Sequence, residues 1–218
     1  MKAKDMILPE IPVLLATMSV NEARVALESL AWSSLPVVDA GEYVGILQAG
    51  ELADVNGEET VGRENWRRPA VREETHLLDV VNQFAQYTDD VLPVVDQHRR
   101  YVGAIPIHAV MVAVARLCQT SSPGAIIELE IPRADYSATE LTRLVEDNDC
   151  RVMNLMIRPD EESGMWRACL RIDREDATPV LRSLERFDYR VLSCYQLHSA
   201  MDDRIEQRIK ELMYYLEM

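Results

Sequence analysis

No apolar run in the 218-residue chain approaches the roughly 20 residues needed to span a bilayer. Met1-Lys2-Ala3-Lys4-Asp5 is not followed by the long apolar core of a secretory signal. The chain is therefore expected to be soluble and cytoplasmic. Basic residues are in deficit, 23 against 37 acidic, for a net charge of −14. Nucleic-acid backbones and anionic membrane surfaces both require Lys and Arg to neutralise phosphates, so neither is an expected partner. Cys118, Cys150, Cys169 and Cys194 show no Cys-x-x-Cys spacing and no histidine at zinc-finger distance. Three of them sit in apolar strand-like runs, where a free cysteine behaves as a small hydrophobe, and all four are expected to be reduced and structural.

The motifs of common enzyme classes are missing too. There is no Gly-x-x-x-x-Gly-Lys loop, no Gly-x-Ser-x-Gly elbow and no His-Glu-x-x-His helix. His76, His98, His108 and His198 are dispersed. The acid pairs Asp89-Asp90, Glu161-Glu162 and Asp202-Asp203 fall at turns or helix starts, where solvation or the helix dipole accounts for them. No catalytic residue, metal site or cofactor is expected from these spacings.

What is present is a repeat. Leu35-Pro36-Val37-Val38-Asp39 followed by Tyr43-Val44-Gly45-Ile46-Leu47 recurs as Leu92-Pro93-Val94-Val95-Asp96 followed by Tyr101-Val102-Gly103-Ala104-Ile105. The second copy carries one extra residue in its turn. Each copy reads as two short buried strands joined by a hairpin, and a self-match of this length marks one unit used twice. Upstream of the first hairpin, Ala23, Ala26, Leu27 and Leu30 have helical spacing behind Ser19 and Glu22, the pattern of a capping box. Upstream of the second stand Leu78, Val81, Phe84 and Ala85. Further helices are expected from Gly50 to Val55 and from His108 to Cys118. The predicted unit is strand, helix, strand, strand, helix.

That order, with Pro-Val-Val-Asp entering one strand and a glycine in the next, resembles a cystathionine-β-synthase (CBS) domain. Two in tandem resemble a Bateman module, a regulatory pair whose clefts often hold adenosine-containing ligands. In adenosine-binding members the second strand's glycine and two apolar residues run into Thr-x-x-Asp, for the phosphate or ribose hydroxyls. The resemblance makes Pro36, Val37, Gly45, Ile46, Leu47, Gln48 and Glu51 the candidate ligand-binding residues, with Gln48 in place of Thr and Glu51 in place of Asp. Glu51 still accepts two hydrogen bonds. In the second copy the same positions are Pro106 and Ala109, which offer a diol nothing, so an adenine nucleotide is expected at the first copy only.

Between the copies, Asn56 to Arg68 mixes Glu58, Glu59 and Glu64 with Arg63, Arg67 and Arg68. The three arginines are candidate phosphate contacts; with acids beside them, they also read as a solvated linker face. The helix from Ile107 to Cys118 is apolar almost all round and is expected to be buried on several sides, between the copies or in a dimer interface.

Gln119-Thr120-Ser121-Ser122-Pro123-Gly124 punctuates the chain as a boundary. Beyond it, Ile127, Leu129 and Ile131 alternate with Glu128 and Glu130; Ser137 and Glu140 start a helix; Arg151 to Arg158 and Trp166 to Asp173 flank a turn. Thr178-Pro179 starts a second helix, and Tyr189 to Leu197 gives a last strand. The order β-α-β-β-α-β is ferredoxin-like. Directly after a CBS pair, such a unit resembles an ACT domain, a module that commonly senses amino acids. Pro132-Arg133-Ala134-Asp135 lacks the glycine that ligand-binding members place after the first strand, so the domain is also read as one that only assembles subunits. Asp202 to Met218 closes the chain with Ile205, Ile209, Leu212 and Leu216 in one helical stripe, suited equally to the chain's own core or to a dimer contact.

The expected fold class is α+β, a tandem CBS pair followed by a ferredoxin-like, ACT-like domain and a C-terminal helix. The expected domains are 1–119 (repeats 1–57 and 58–119), a linker 120–124, an ACT-like domain 125–198 and a helix 199–218. The layout is similar to that of acetoin-utilisation CBS-ACT proteins. It implies a non-catalytic, cytoplasmic, homodimeric sensor of a small-molecule effector; the alternative is a ligand-free oligomerisation module acting through protein partners.

Overall fold

The structure is a computed structural model that describes residues 1–30, 32–63 and 66–196. The stripe expected between Ile205 and Leu216 lies outside the described residues. The chain divides into two compact units, Met1–Leu117 and Cys118–Met218.

The first unit holds the two copies. In the first, β1 (Leu14–Leu15) leads through α1 (Val20–Leu30) to the hairpin β2 (Ser34–Asp39) and β3 (Glu42–Gln48). In the second, β4 (Val71–Arg72) leads through α2 (Leu77–Gln86) to β5 (Val91–Val95), β6 (Tyr101–Pro106) and α3 (Ile107–Leu117). Each copy is a three-stranded sheet, ordered β1-β2-β3 or β4-β5-β6, with its first strand parallel and its hairpin antiparallel. Both hairpins carry a register shift at the same place, after Val37 and after Val94, so the sequence repeat extends to its irregularity.

α1 begins as the capping box predicts: Ser19 donates its backbone N–H to Glu22 Oε2 at 2.8 Å, and Glu22 N–H reaches Ser19 Oγ at 3.3 Å. The helix expected from Gly50 to Val55 is instead a short 3-10 turn, Ala49–Leu52. The carbonyls of Leu52 and Val55 accept from the Arg24 guanidinium at 2.5 and 2.8 Å, a side-chain pairing in place of further helical turns. Within this chain α3 is buried over part of its surface only. Val110 and Ala113 are buried, but Ile107, Met111, Val112 and Leu117 stand exposed within this chain.

The copies are joined by an exchange of their entry segments. The stretch ahead of β1 lies against the second copy, with Ala3 N–H donating to the Thr75 carbonyl and Leu8 N–H to that of Ala104. The stretch ahead of β4 lies against the first, with Val61 N–H donating to the Met18 carbonyl, and the Arg67 carbonyl accepting from Ile46. Gly45 and Gly103 make the crossings sterically feasible. A Cβ on Gly45 would sit 2.7 Å from Trp66 Cβ, and one on Gly103 2.5 Å from Ile7 Cγ2.

The second unit runs β7 (Ile126–Ile131), α4 (Ala138–Glu146), β8 (Val152–Pro159), β9 (Trp166–Ile172), α5 (Thr178–Arg186) and β10 (Arg190–Tyr195). Its antiparallel sheet has the order β10-β7-β9-β8, the ferredoxin-like arrangement. Ile127, Leu129, Ile131, Ala168, Leu170 and Ile172 face α4 and α5, whose Leu141, Leu144, Val145, Val180 and Leu184 complete one core. Ser137 caps α4 through Glu140 N–H at 3.2 Å, but the Glu140 carboxylate turns away and accepts from Tyr189 Oη at 2.7 Å.

Gly124 enters β7 at φ +144°, and the Ile172 carbonyl occupies the place a Cβ would take. Replacement by Ala at such a position costs backbone strain as well as a clash. Gly124→Ala is expected to destabilise the second unit by about 2 kcal/mol or more in urea unfolding; a change below about 0.5 kcal/mol would show that the strand entry relaxes freely.

Candidate functional site

The candidate residues of the first copy divide by chemistry. Pro36, Val37, Gly45, Ile46 and Leu47 are buried in β2 and β3, where Val37, Ile46 and Leu47 form part of the first copy's core. Gln48 and Glu51 lie at the open end of β3, where the strand turns into the 3-10 helix. Glu51 Oε2 accepts from Gln48 N–H at 2.8 Å, capping that turn. Its other oxygen faces Arg67, whose Nε lies 3.3 Å away.

Arg67 belongs to this cluster and not to a solvated linker face. Its guanidinium forks onto Asp89, with Nη1 3.3 Å from Oδ2 and Nη2 3.2 Å from Oδ1. Asp89 is 4% exposed and also accepts from Gln48 Nε2 at 2.8 Å. Four polar side chains from three segments thus satisfy one another. Burial works against the charge on Arg67, yet the hydrogen bonds and charges of Asp89 and then Glu51 outweigh it and raise its pKa. Next to the cluster, burial and then the Asp89 charge push the Tyr43 hydroxyl well above its ordinary pKa, and it donates to the Pro69 carbonyl at 2.9 Å. Arg68 is exposed, and the structure describes no side chain for Arg63.

Sequence reasoning missed Asp89 and its neighbour. Asp90 accepts from Ser33 N–H at 3.1 Å and from Ser34 Oγ at 2.7 Å, so the pair at the start of β5 clasps the first copy from the second. The signal was available, since an acid pair immediately before a buried strand has few ways to be solvated.

The second copy is different. Pro106 and Ala109 stand where the hydroxyl and acid would be, and beside them opens a cleft of about 530 Å³ lined by residues that include Ile7, Leu8, Ala109, Val112 and Ala113, with Asp5, His108 and Arg116 among its polar groups. Its volume is in the range of small-molecule sites. Sequence reading passed over it because it depended on the ribose motif, whereas the walls come from the N-terminal segment and the outer turns of α3.

Residues 3–56 and 65–116 each match the CBS domain family. The chain is a tandem CBS-domain protein. Among solved structures, it is similar to a CBS domain pair/ACT domain protein from Thermotoga maritima, at 23% identity and a TM-score of 0.50, over 53% of this chain and 98% of that one. This likeness supports the fold of the CBS pair. Other similar structures are a CBSX2 protein in complex with AMP (23% identity, TM-score 0.47, 53% of this chain and 97% of that one) and the cytosolic domain of the Mg²⁺ channel MgtE in complex with ATP (27%, 0.45, 51% and 48%). Among the described residues, the tandem CBS-domain protein has no helix long and apolar enough to cross a membrane and no group of three or more His, Cys, Asp or Glu side chains able to hold a metal ion.

The polar cluster has an energetic consequence. Removing Arg67 leaves the buried Asp89 carboxylate its hydrogen bond from Gln48 Nε2 but no cation, and a buried carboxylate stripped of its cation is costly. Because Arg67 is itself part-exposed, Arg67→Ala is expected to cost about 2 kcal/mol in urea unfolding. Adding Asp89→Asn should recover at least half of that loss, a coupling that only a double-mutant cycle resolves. Strict additivity of the two substitutions would remove the ion pair from the account of the unit.

Proposed function

We propose that the protein is a non-catalytic, cytoplasmic, homodimeric regulator whose CBS pair takes up an adenine nucleotide or related small metabolite and couples its occupancy to the ACT-like unit. The domains in this reading are the CBS pair 1–119, the linker 120–124 and the ACT-like domain 125–198. The observation that carries it is the contrast between the two copies. At the first, Gln48 and Glu51 are spent on Arg67, Asp89 and the chain's own backbone. At the second, an apolar floor stands open beside Arg116, which suits a planar base with an anionic group at its edge.

This reading moves the ligand from the first copy, where sequence favoured it, to the second. Gln48 and Glu51 then serve as a clasp between copies, with Arg67 as its cation. A panel of AMP, ADP, ATP and S-adenosylmethionine tests it by thermal shift. A ligand at 100 times its dissociation constant adds about 2.7 kcal/mol to the folded state. For a chain of this size that raises Tm by about 5 to 11 °C. Ala109→Trp, which fills the cleft, should abolish the shift, and Glu51→Gln should leave it in place after correction for any change in the ligand-free Tm. The opposite pattern would return the site to the first copy; silence from all four compounds would favour the ligand-free module.

The homodimer rests on a separate observation. Ile107 and Met111 lie one turn apart on α3, exposed by 47% and 63%, although both are large and apolar. A second copy of the chain is the proposed cover. Met111→Glu should lower the mass measured by light scattering from dimer to monomer, and an unchanged dimer would exclude α3 as the contact.

A further inference from the structure

The sheet of the second unit has a face turned away from α4 and α5, and the strand register fixes what stands on it. One cross-strand row is Glu128, Cys169 and Met156; the next is Glu130, Arg167 and Arg158. Over these two rows lies a cleft of about 330 Å³, lined by Glu128, Met156, Arg158, Arg167 and Cys169 together with Ile157 and Ala168. It is separate from the CBS clefts and belongs wholly to the second unit.

The floor is apolar. Met156 is a flexible hydrophobe, and the Cys169 thiol is held protonated because burial, and then the charge of Glu128, raises its pKa. The cations differ in their engagement. Arg167 is fixed by Asp160, with Nη2 2.8 Å from Oδ2, and faces Glu130 at 3.6 Å. Arg158 directly opposes it on the edge strand and makes no ion pair among the described residues. Like charges opposite one another on neighbouring strands repel, and an anion between them relieves that repulsion. Glu128 accepts from Ser193 Oγ at 3.0 Å and places a carboxylate at the other end of the cleft, which disfavours a ligand carrying two negative charges.

We propose that this cleft, with its Cys169–Met156 floor and the opposed pair Arg158 and Arg167 at one end, is a binding site for a small monocarboxylate with an apolar body. The guanidinium of Arg158 takes the carboxylate, in the geometry that arginine offers to planar anions. The apolar body lies over the thiol and the thioether. Arg167, held rigid by Asp160, supplies field and shape more than a free hydrogen-bonding edge.

Pentanoate is a suitable probe, with pentanol as its neutral counterpart, titrated into the full chain by calorimetry. Saturable binding of pentanoate is expected, with pentanol at least about tenfold weaker, the scale of one charge-assisted contact. Arg158→Gln should weaken pentanoate binding by a similar factor, and Met156→Trp, which fills the cleft, should abolish it; circular dichroism verifies that both variants fold. Ala109→Trp, in the other unit, should leave pentanoate binding unchanged. Absence of saturable binding, equal affinity for pentanol, indifference to Arg158→Gln or loss in Ala109→Trp would each overturn the proposal.

Discussion

The first unit depends on an exchange of chain between two similar halves. Among the described residues, each copy's entry segment hydrogen-bonds to the other copy's strands and not to its own: Leu8 N–H goes to the Ala104 carbonyl, and the Arg67 carbonyl receives Ile46 N–H. At Gly45 the crossing segment's Trp66 Cβ and Arg67 carbonyl, and at Gly103 the Ile7 side chain, take the space a Cβ would need, so both copies have a use for glycine at this place. The exchange also explains why neither copy has a self-contained core. Val91 and Ala104, from the second copy, lie in the cluster otherwise built by the first. Half of this unit could not bury its own apolar surface, so the duplication is a condition of folding as well as a record of ancestry.

The same exchange makes the two clefts unequal. The segment that crosses the first copy brings Trp66 and Arg67; the one that crosses the second brings Met6, Ile7 and Leu8. A tryptophan and an arginine fill space and seek partners, and Trp66 donates its indole N–H to the Val61 carbonyl at 2.7 Å while Arg67 binds two acids. Isoleucine and leucine make no such demands and leave an apolar wall. The difference between a closed polar clasp and an open apolar cleft therefore originates in these five residues outside the repeated motif.

This is where the reach of the sequence ended. The repeat, the hairpins, the Ser19–Glu22 box and the β-α-β-β-α-β order are local patterns, written in period and capping chemistry, and the structure has them. The polar cluster is not local. Gln48, Glu51, Arg67 and Asp89 come from three segments, and nothing in their spacing announces that Arg67 folds back onto β3. α3 shows the complementary difficulty: periodicity revealed that the helix is apolar all round, but a helix without a polar face carries no information about which side meets its own chain and which meets another. Glu140 shows a third, since a capping-box residue can surrender its carboxylate to a tyrosine just ahead of a distant strand without changing the local pattern.

The asymmetry bears on how a pair of this kind could transmit a signal. A ligand moves an equilibrium only by its differential affinity for two states, so the element that responds must touch the ligand and also differ between those states. The second cleft meets that requirement, because its walls are the N-terminal segment and α3, and α3 also carries the exposed apolar residues of the proposed dimer contact. Anything that wedges between Leu8 and Val112 bears on the helix that a second copy would cover. The first copy, locked by Asp89 and Asp90, is poorly placed to move: breaking its clasp would strand a buried carboxylate, at a cost of about 2 kcal/mol that a metabolite's binding energy would first have to meet. One copy is thus suited to sensing and the other to holding the frame against which the sensor moves.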